Sequence, residues 1–433
     1  MKKVLFIAYY FPPLGGSGVQ RSLKFARYLS EFGWQPVVLT VAHNLTRWPK
    51  DRSLIKEIPT DVQVHRAPTL DLNWLYKAMW GLRLHKLVEW LQLHWLIPDS
   101  EITWLPFARK CIDKIVSEHK IDLVYITGGP FSSMLLGPYV SEKYNLPYVV
   151  DFRDEWVNNH TRLDRAYTSS ARQKDQNCEK AVIERCSGII YAHPMFMKEN
   201  FESRYPFLSE RPNRIITNGF DESDFSGLEA QPRQSGKIFK IVYTGSFYDR
   251  RRPLVLFLAI RNLMTEKVIS ADQIRIEIYG KNTPAFVLGE FYHDETIKGM
   301  VRFQPYISHK NSLKILNNAD ALLLYLSPGA NSEPELPGKM FEYMRSYRPI
   351  LAIVPPQGSA AELVRQSKTG YVFDSDSETE VTNGLRAMVT KWKQNELVID
   401  PDIECISQFE RRNLTGKLAE LFNEVVAPEH KES

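Results

Sequence analysis

Cysteine is scarce in this chain. The four that occur (Cys111, Cys178, Cys186 and Cys405) are too few and too scattered for a disulfide framework, and none has the C-x-x-C spacing of a zinc site. A reducing cytoplasm is the compartment that fits this usage. Long hydrophobic runs are missing as well: no stretch approaches the roughly 18–20 apolar residues that span a bilayer, so membrane contact is expected only at the periphery. Charge of one sign is also lacking, because 55 basic and 51 acidic residues leave a net +4. A nucleic-acid binder would carry a dense basic stripe, so DNA and RNA are not expected partners. Repeats and low-complexity tracts are absent too. What is present is the composition of a soluble globular protein, 43% hydrophobic and 24% charged. At 433 residues it favours two domains over one.

Short apolar runs bounded by turn residues alternate with helical patterns, which predicts a parallel α/β sheet. The runs are Val4 to Tyr10, Pro36 to Thr40, Leu123 to Thr127, Tyr148 to Phe152 and Gly188 to Ala192. The first follows Met1-Lys2-Lys3 in the manner of a signal peptide, but it is short and leads into Phe11-Pro12-Pro13 without a cleavage site, so it reads as a buried strand. A second series follows a polar stretch from Asn218 to Lys237: Ile238 to Thr244, Ile274 to Tyr279, Ala321 to Leu326 and Ile350 to Val354. Two α/β halves are therefore expected, residues 1–218 and 219–405. A last helical segment, about 406–433 with its pattern over Ile406 to Val425, fits against either half.

One segment breaks the rhythm. Residues 70–104 hold five of the nine tryptophans (Trp74, Trp80, Trp90, Trp95 and Trp104), interleaved with Lys77, Arg83, His85 and Lys86. That mix suits a bilayer interface. It equally suits an amphipathic helical insertion whose aromatic face is core or the wall of an acceptor pocket.

Three places hold candidate chemistry. The turn Pro12 to Gly18 follows a strand and precedes the helical pattern Val19 to Phe32, so its amides can face an anion at a helix N-terminus. Its glycines fall as G-G-x-G rather than G-x-G-x-x-G, and the next strand ends in Thr40 rather than an acid, so a dinucleotide role is poorly supported. Next, the strand ending Tyr243-Thr244-Gly245 runs into Arg250-Arg251-Arg252 at a sheet mouth. Fixed guanidinium groups there can stabilise the charge that builds on a departing diphosphate without a metal, although such a run alone is more often a solvated face. Last, Pro337 and Gly338 open a helix whose free amides favour phosphate, Lys339 adds a cation, and Glu342 follows one turn on. A carboxylate can accept from both vicinal hydroxyls of a ribose.

Taken in order along the chain, these segments resemble the retaining, nucleotide-sugar-dependent glycosyltransferases of family 4, which have the GT-B fold. The resemblance rests on Phe11-Pro12-Pro13 with its glycines, Thr127 to Ser132, Leu146 to Trp156, Thr217 to Asp221, Thr244-Gly245-Ser246, and Pro337-Gly338-Lys339 with Phe341-Glu342-Tyr343. It is similar to the branch that builds bacterial surface polysaccharides. The resemblance implies an N-terminal acceptor-side domain and a C-terminal donor domain, with the active site in the cleft between them. It also implies that Gly15 and Gly16 face the donor phosphates, joined by Gly245, Arg251, Arg252 and Lys339. Arg252 best matches the family's diphosphate-binding lysine, Glu342 its ribose-binding acid, and Tyr306 and Ile307 the loop beside the base.

Two departures stand out. The family commonly has two glutamates eight positions apart, whereas Pro334 stands eight before Glu342, between Glu333 and Glu335. Glu335 is the residue assigned to the sugar hydroxyls. Many relatives place a His after the strand that here ends Asp151-Phe152-Arg153-Asp154, so Arg153 and Asp154 become the candidates beside the reacting sugar; His160 reads as a surface residue. Asp374-Ser375-Asp376 has the D-x-D form of a metal-binding pair but the setting of a solvated loop, so neither metal nor cofactor is expected. The function expected is transfer from a UDP- or GDP-sugar to a glycan or lipid-linked glycan, with peripheral membrane contact through 70–104. Sugar-nucleotide epimerisation, or membrane docking without catalysis, is the alternative; an NAD-dependent dehydrogenase is remote.

Overall fold

The computed structural model describes residues 1–42, 50–70, 72, 78–158, 168–193, 196–228, 237–247, 252–329 and 332–427. The chain forms two compact units, Met1–Thr217 together with Arg411–Ser433, and Asn218–Glu410. Each is built on one all-parallel sheet flanked by helices, the α/β architecture expected from the alternating runs.

The first sheet contains β1 (Lys2–Ile7), β2 (Trp34–Val41), β3 (Gln63–Ala67), β4 (Leu123–Thr127), β5 (Tyr148–Phe152), β6 (Gly188–Tyr191) and β7 (Asn213–Ile215). Their spatial order is β3-β2-β1-β4-β5-β6-β7. Strands β4, β5 and β6 are buried throughout, which is why they read as continuous apolar runs. The order reverses between β1 and β4, which pair in register from Val4↔Leu123 to Ile7↔Ile126. The first strand ends at Ile7, before the run's own limit at Tyr10, because the chain turns toward Phe11. The helix Ser17–Tyr28 buries Val19, Leu23 and Ala26 at helical spacing. It passes into a 3-10 turn, Leu29–Phe32, closed by Gly33 in the left-handed region at φ 84°.

The second sheet contains β8 (Phe239–Thr244), β9 (Ile274–Tyr279), β10 (Val301–Gln304), β11 (Ala321–Tyr325), β12 (Ile350–Val354) and β13 (Gly370–Asp374). Their order is β10-β9-β8-β11-β12-β13, so the reversal here lies between β8 and β11.

The C-terminal pattern is not one helix. A short helix, Ile403–Ser407, ends before Glu410 pairs as a parallel bridge with Phe220, and the Phe220 amide donates to the Phe409 carbonyl at 3.1 Å. A new helix, Arg411–Val426, then buries Leu414, Leu418, Leu421 and Phe422 in the core of the first unit. Phe422 meets Trp34 edge-on, with ring centroids 5.3 Å apart.

The tryptophan-rich segment divides. Trp104 is fully buried, edge-on to Tyr9 and donating its indole N–H to the Ala67 carbonyl, so it is core. Trp80, Trp90 and Trp95 are 59%, 47% and 68% exposed, and Leu82, Leu84 and Leu87 are exposed beside them. Trp74 and Lys77 lie outside the described residues. Among the described residues no helix is long and apolar enough to cross a membrane.

Candidate functional site

In open parallel α/β sheets, ligands bind beyond the carboxyl ends of the strands where the strand order reverses. In the second unit the reversal falls at the ends of β8 and β11. The loop after β8 begins at Gly245, and the segment after β11 leads to the helix Gly338–Arg345. Two of the sequence-selected residues meet there.

Gly245 has φ 133°, a conformation L side chains rarely adopt, and a Cβ placed on it would lie 2.7 Å from Lys339 Nζ. The missing side chain is thus what lets the ammonium approach the backbone. That ammonium sits 3.6 Å from the centroid of the Tyr243 ring, a cation–π contact. Tyr243 in turn stacks on Phe247, with centroids 4.0 Å apart and planes within 14°. Asn282 clamps the turn from the end of β9: its Oδ1 accepts from the Phe247 amide at 2.8 Å and its Nδ2 donates to the Gly245 carbonyl at 3.0 Å. Behind it Gly280, with φ 145°, passes so close that a Cβ would meet the Gly245 carbonyl oxygen at 2.4 Å.

The helix carrying Lys339 starts after Pro337, whose ring presets φ at −60°, and no side chain caps that start. Lys339 therefore adds its charge where the helix dipole already favours an anion. Tyr343, one turn along, is fully buried and accepts from the Thr244 amide at 2.9 Å, which ties the helix to the end of β8. Burial pushes its phenol up to about 12, so the hydroxyl stays protonated. Glu342 projects from the same helix, with Oε1 2.7 Å from Nε2 of His309.

The structure places the other candidates of this unit as follows. Arg252 is exposed, its guanidinium over the Phe286 ring at 5.7 Å and beside Gly289. Its charge also acts on Tyr325 at the end of β11, opposing the burial that raises that phenol. Glu335 lies in the turn before the helix, its amide donating to the Ser332 carbonyl. Tyr306, 49% exposed, and Ile307 follow β10. Arg251 lies outside the described residues, as does His160.

The first unit has its own reversal-point turn. Gly16 has φ 106° with open space where a Cβ would stand, and it caps the helix beginning at Ser17, while Gly15 is buried. Arg153, after β5, reaches the first turn of that helix: its Nη1 donates to the Gly18 carbonyl at 3.2 Å, and a Cβ on Gly18 would lie 2.8 Å from Nη2. Arg153 thus stands at the glycine turn, whereas neighbouring Asp154 is exposed.

Beneath lies a fully buried ion pair that the sequence did not reveal. Arg21 Nε and Nη2 donate to the two oxygens of Asp151, each at 2.8 Å, while Nη1 donates to the Thr217 carbonyl and Nη2 also to that of Ile216. The Tyr125 and Thr127 hydroxyls donate to the same carboxylate. Burial works against the Arg21 charge, but the adjacent Asp151 overrides it and holds the guanidinium's affinity for its proton above the usual value. A bidentate pair with its remaining donors satisfied fixes the glycine-turn helix against β5.

The D-x-D pair closes a turn: Asp374 Oδ1 accepts from the Asp376 amide at 2.9 Å, and Ser377 caps the helix Glu378–Lys393. Among the described residues no group of three or more His, Cys, Asp and Glu is placed to hold a metal ion.

Residues 238–391 match the family model for glycosyl transferases group 1. No curated protein matches the chain by sequence. Several solved structures share its fold. Sucrose-phosphate synthase from Thermosynechococcus elongatus is 14% identical with a TM-score of 0.62, over 98% of this chain and 99% of that one. A glycosyltransferase from Rickettsia africae ESF-5 is 14% identical with a TM-score of 0.61, over 100% and 99%. HepE from Anabaena, solved in complex with UDP and glucose, is 13% identical with a TM-score of 0.59, over 98% and 100%. The chain therefore has two Rossmann-like units of the GT-B class, and the group 1 glycosyltransferase match in its second unit supports an enzyme that transfers sugar.

Proposed function

We propose that this chain transfers a sugar from a nucleoside-diphosphate sugar, UDP- or GDP-linked, to a glycan or lipid-linked glycan, with retention at the anomeric carbon. The observation that carries the reading is the Gly245–Lys339 contact at the strand-order reversal of the second unit, where an ammonium stands beside an uncapped helix start. An anion is what such a place attracts, and a diphosphate is the anion that a sugar donor carries.

In this reading Lys339, Arg251, Arg252 and the amide at Gly338 take the charge that develops as the diphosphate leaves, while Gly245 gives room for the ammonium. The acceptor hydroxyl attacks the face from which the diphosphate departs. Its proton passes to the departing phosphate oxygen as the new C–O bond forms and the old one breaks, so no protein nucleophile and no metal is required. Glu342 accepts from the ribose hydroxyls, Tyr306 and Ile307 flank the base, and Glu335 contacts the sugar. In the first unit, Gly15, Gly16 and Arg153 form a second anion-attracting turn, with Asp154 beside it for the sugar or acceptor. The exposed Trp80, Trp90 and Trp95 beside Arg83 and Lys86 favour a peripheral seat on the inner face of the cytoplasmic membrane, where a lipid-linked acceptor of surface-polysaccharide synthesis would lie.

Turnover is the test. Purified protein incubated with a nucleotide sugar and a glycan acceptor in EDTA should release the nucleoside diphosphate, and proton NMR of the product should show the donor's anomeric configuration. An inverted product would overturn retention. Conversion of the donor to an epimer without acceptor would replace transfer by epimerisation.

A further inference from the structure

The partner of Glu342 was not expected from the sequence. His309 opens the helix His309–Asn317, two residues after Ile307 in the segment that follows β10. Its Nε2 stands 2.7 Å from Glu342 Oε1, and its Nδ1 faces Asp224 Oδ2 at 3.9 Å. A carboxylate can only accept, so Nε2 carries the proton in the contact with Glu342. The Asp224 distance is beyond a direct hydrogen bond. All three side chains are mostly covered, 21% exposed for His309 and Glu342 and 16% for Asp224. The ring is thus held between acids from separate elements, the helix Gly338–Arg345 and the 3-10 turn Glu222–Phe225.

We infer that His309 is a positioning residue for nucleotide recognition, holding Oε1 of Glu342 so that Oε2 is presented to the vicinal hydroxyls of a ribose. The inference rests on the reading of Glu342 given above. Free glutamate rotates about three side-chain bonds, and a ligand that must fix it loses affinity to that ordering. The imidazole does the fixing beforehand. A hydrogen bond to one oxygen still leaves the carboxylate enough lone pairs for two hydroxyl donors. A carboxylate so held also discriminates, since an analogue without hydroxyls leaves it with unmade hydrogen bonds.

Calorimetric titration of the full chain separates these claims. UDP, GDP and ADP are titrated first, then the 2′,3′-dideoxy form of whichever binds most tightly, into the wild type and the His309→Leu, His309→Gln and His309→Asn variants. The wild type should prefer the ribonucleotide at least tenfold. His309→Leu should weaken the ribonucleotide about tenfold and leave the dideoxy form within twofold. Gln, whose amide can donate near the position of Nε2, should restore most of the preference, and the shorter Asn should not. Equal preference in the wild type and His309→Leu, or in the Gln and Asn variants should Leu fail to fold, overturns the role of His309. A wild type that binds ribo and dideoxy forms alike overturns the ribose reading of Glu342 itself.

Discussion

The two glycines behind Lys339 separate stability from function, and their substitution by alanine tests the site's construction. At Gly280 an added Cβ would meet the Gly245 carbonyl oxygen at 2.4 Å and its carbon at 2.8 Å. Both are about 1 Å short of contact distance, and both atoms are backbone that cannot step aside alone. Strain at a glycine-only φ costs about 1–3 kcal/mol and overpacking a further ~1–3 kcal/mol, so Gly280→Ala should cost about 2–6 kcal/mol. At ~2–4 °C per kcal/mol for a unit of this size, the melting temperature should fall by about 4 °C or more. At Gly245 the obstruction is the tip of the Lys339 side chain, at 2.7 Å, which can move away. Gly245→Ala should therefore cost only the backbone strain, about 1–3 kcal/mol, while driving the ammonium off the Tyr243 ring and out of the anion site. Differential scanning calorimetry and donor turnover measured together give the answer. Gly280→Ala should melt earlier, and Gly245→Ala should lose more activity than its stability loss explains. Melting of Gly280→Ala within 2 °C of wild type, or full turnover by a well-folded Gly245→Ala, would show that these glycines do not shape the site in this way.

Other expectations follow from the same geometry. Arg252→Ala should lower kcat about 100-fold, the scale for losing one donor to transition-state charge, and unchanged turnover in steady-state kinetics would remove that role. Asp151→Asn strands the buried Arg21 charge and should cost about 3–5 kcal/mol in urea unfolding, whereas a loss under 1 kcal/mol would show the pair to be dispensable. Burial pushes the Cys186 thiol up to about 11, so at pH 8 it stays protonated and should resist iodoacetamide in the native protein, as peptide mass mapping would reveal; rapid native labelling would contradict this.

The legibility of this fold follows burial. Strands β4, β5, β11 and β12 are covered on both faces, and their unbroken apolar runs mark them in the sequence. The runs did not mark β3, β7 and β10, whose sequences QVHRA, NRI and VRFQ are polar-rich because they lie at or near sheet edges. The C-terminal pattern read as one helix because apolar periodicity does not register the Phe220–Glu410 bridge that interrupts it. At the site, Gly245, Lys339 and Glu342 stood out through local motif chemistry. Their partners did not: His309 is 33 positions from Glu342, and Asp151 is 130 from Arg21. Asn282 and Gly280 likewise acquire their roles only when β9 lies beside β8. A lone histidine or arginine carries no sign of which acid the fold will bring to it. The tryptophan segment divides for the same reason, since only packing distinguishes Trp104 in the core from Trp80, Trp90 and Trp95 at the surface.

Sugar transfer of this kind requires that the second unit bind a nucleoside diphosphate through fixed cations and amides. A thermal-shift titration of the full chain against UDP, GDP, ADP, CMP and NAD, with magnesium and with EDTA, reads that binding out. At a hundredfold excess over Kd a ligand adds about 2.7 kcal/mol, a rise of roughly 5–10 °C for a unit of this size. Such a rise is expected with UDP or GDP, undiminished by EDTA and lost in Lys339→Ala. A rise with NAD alone, or none with any of the nucleotides, would contradict it.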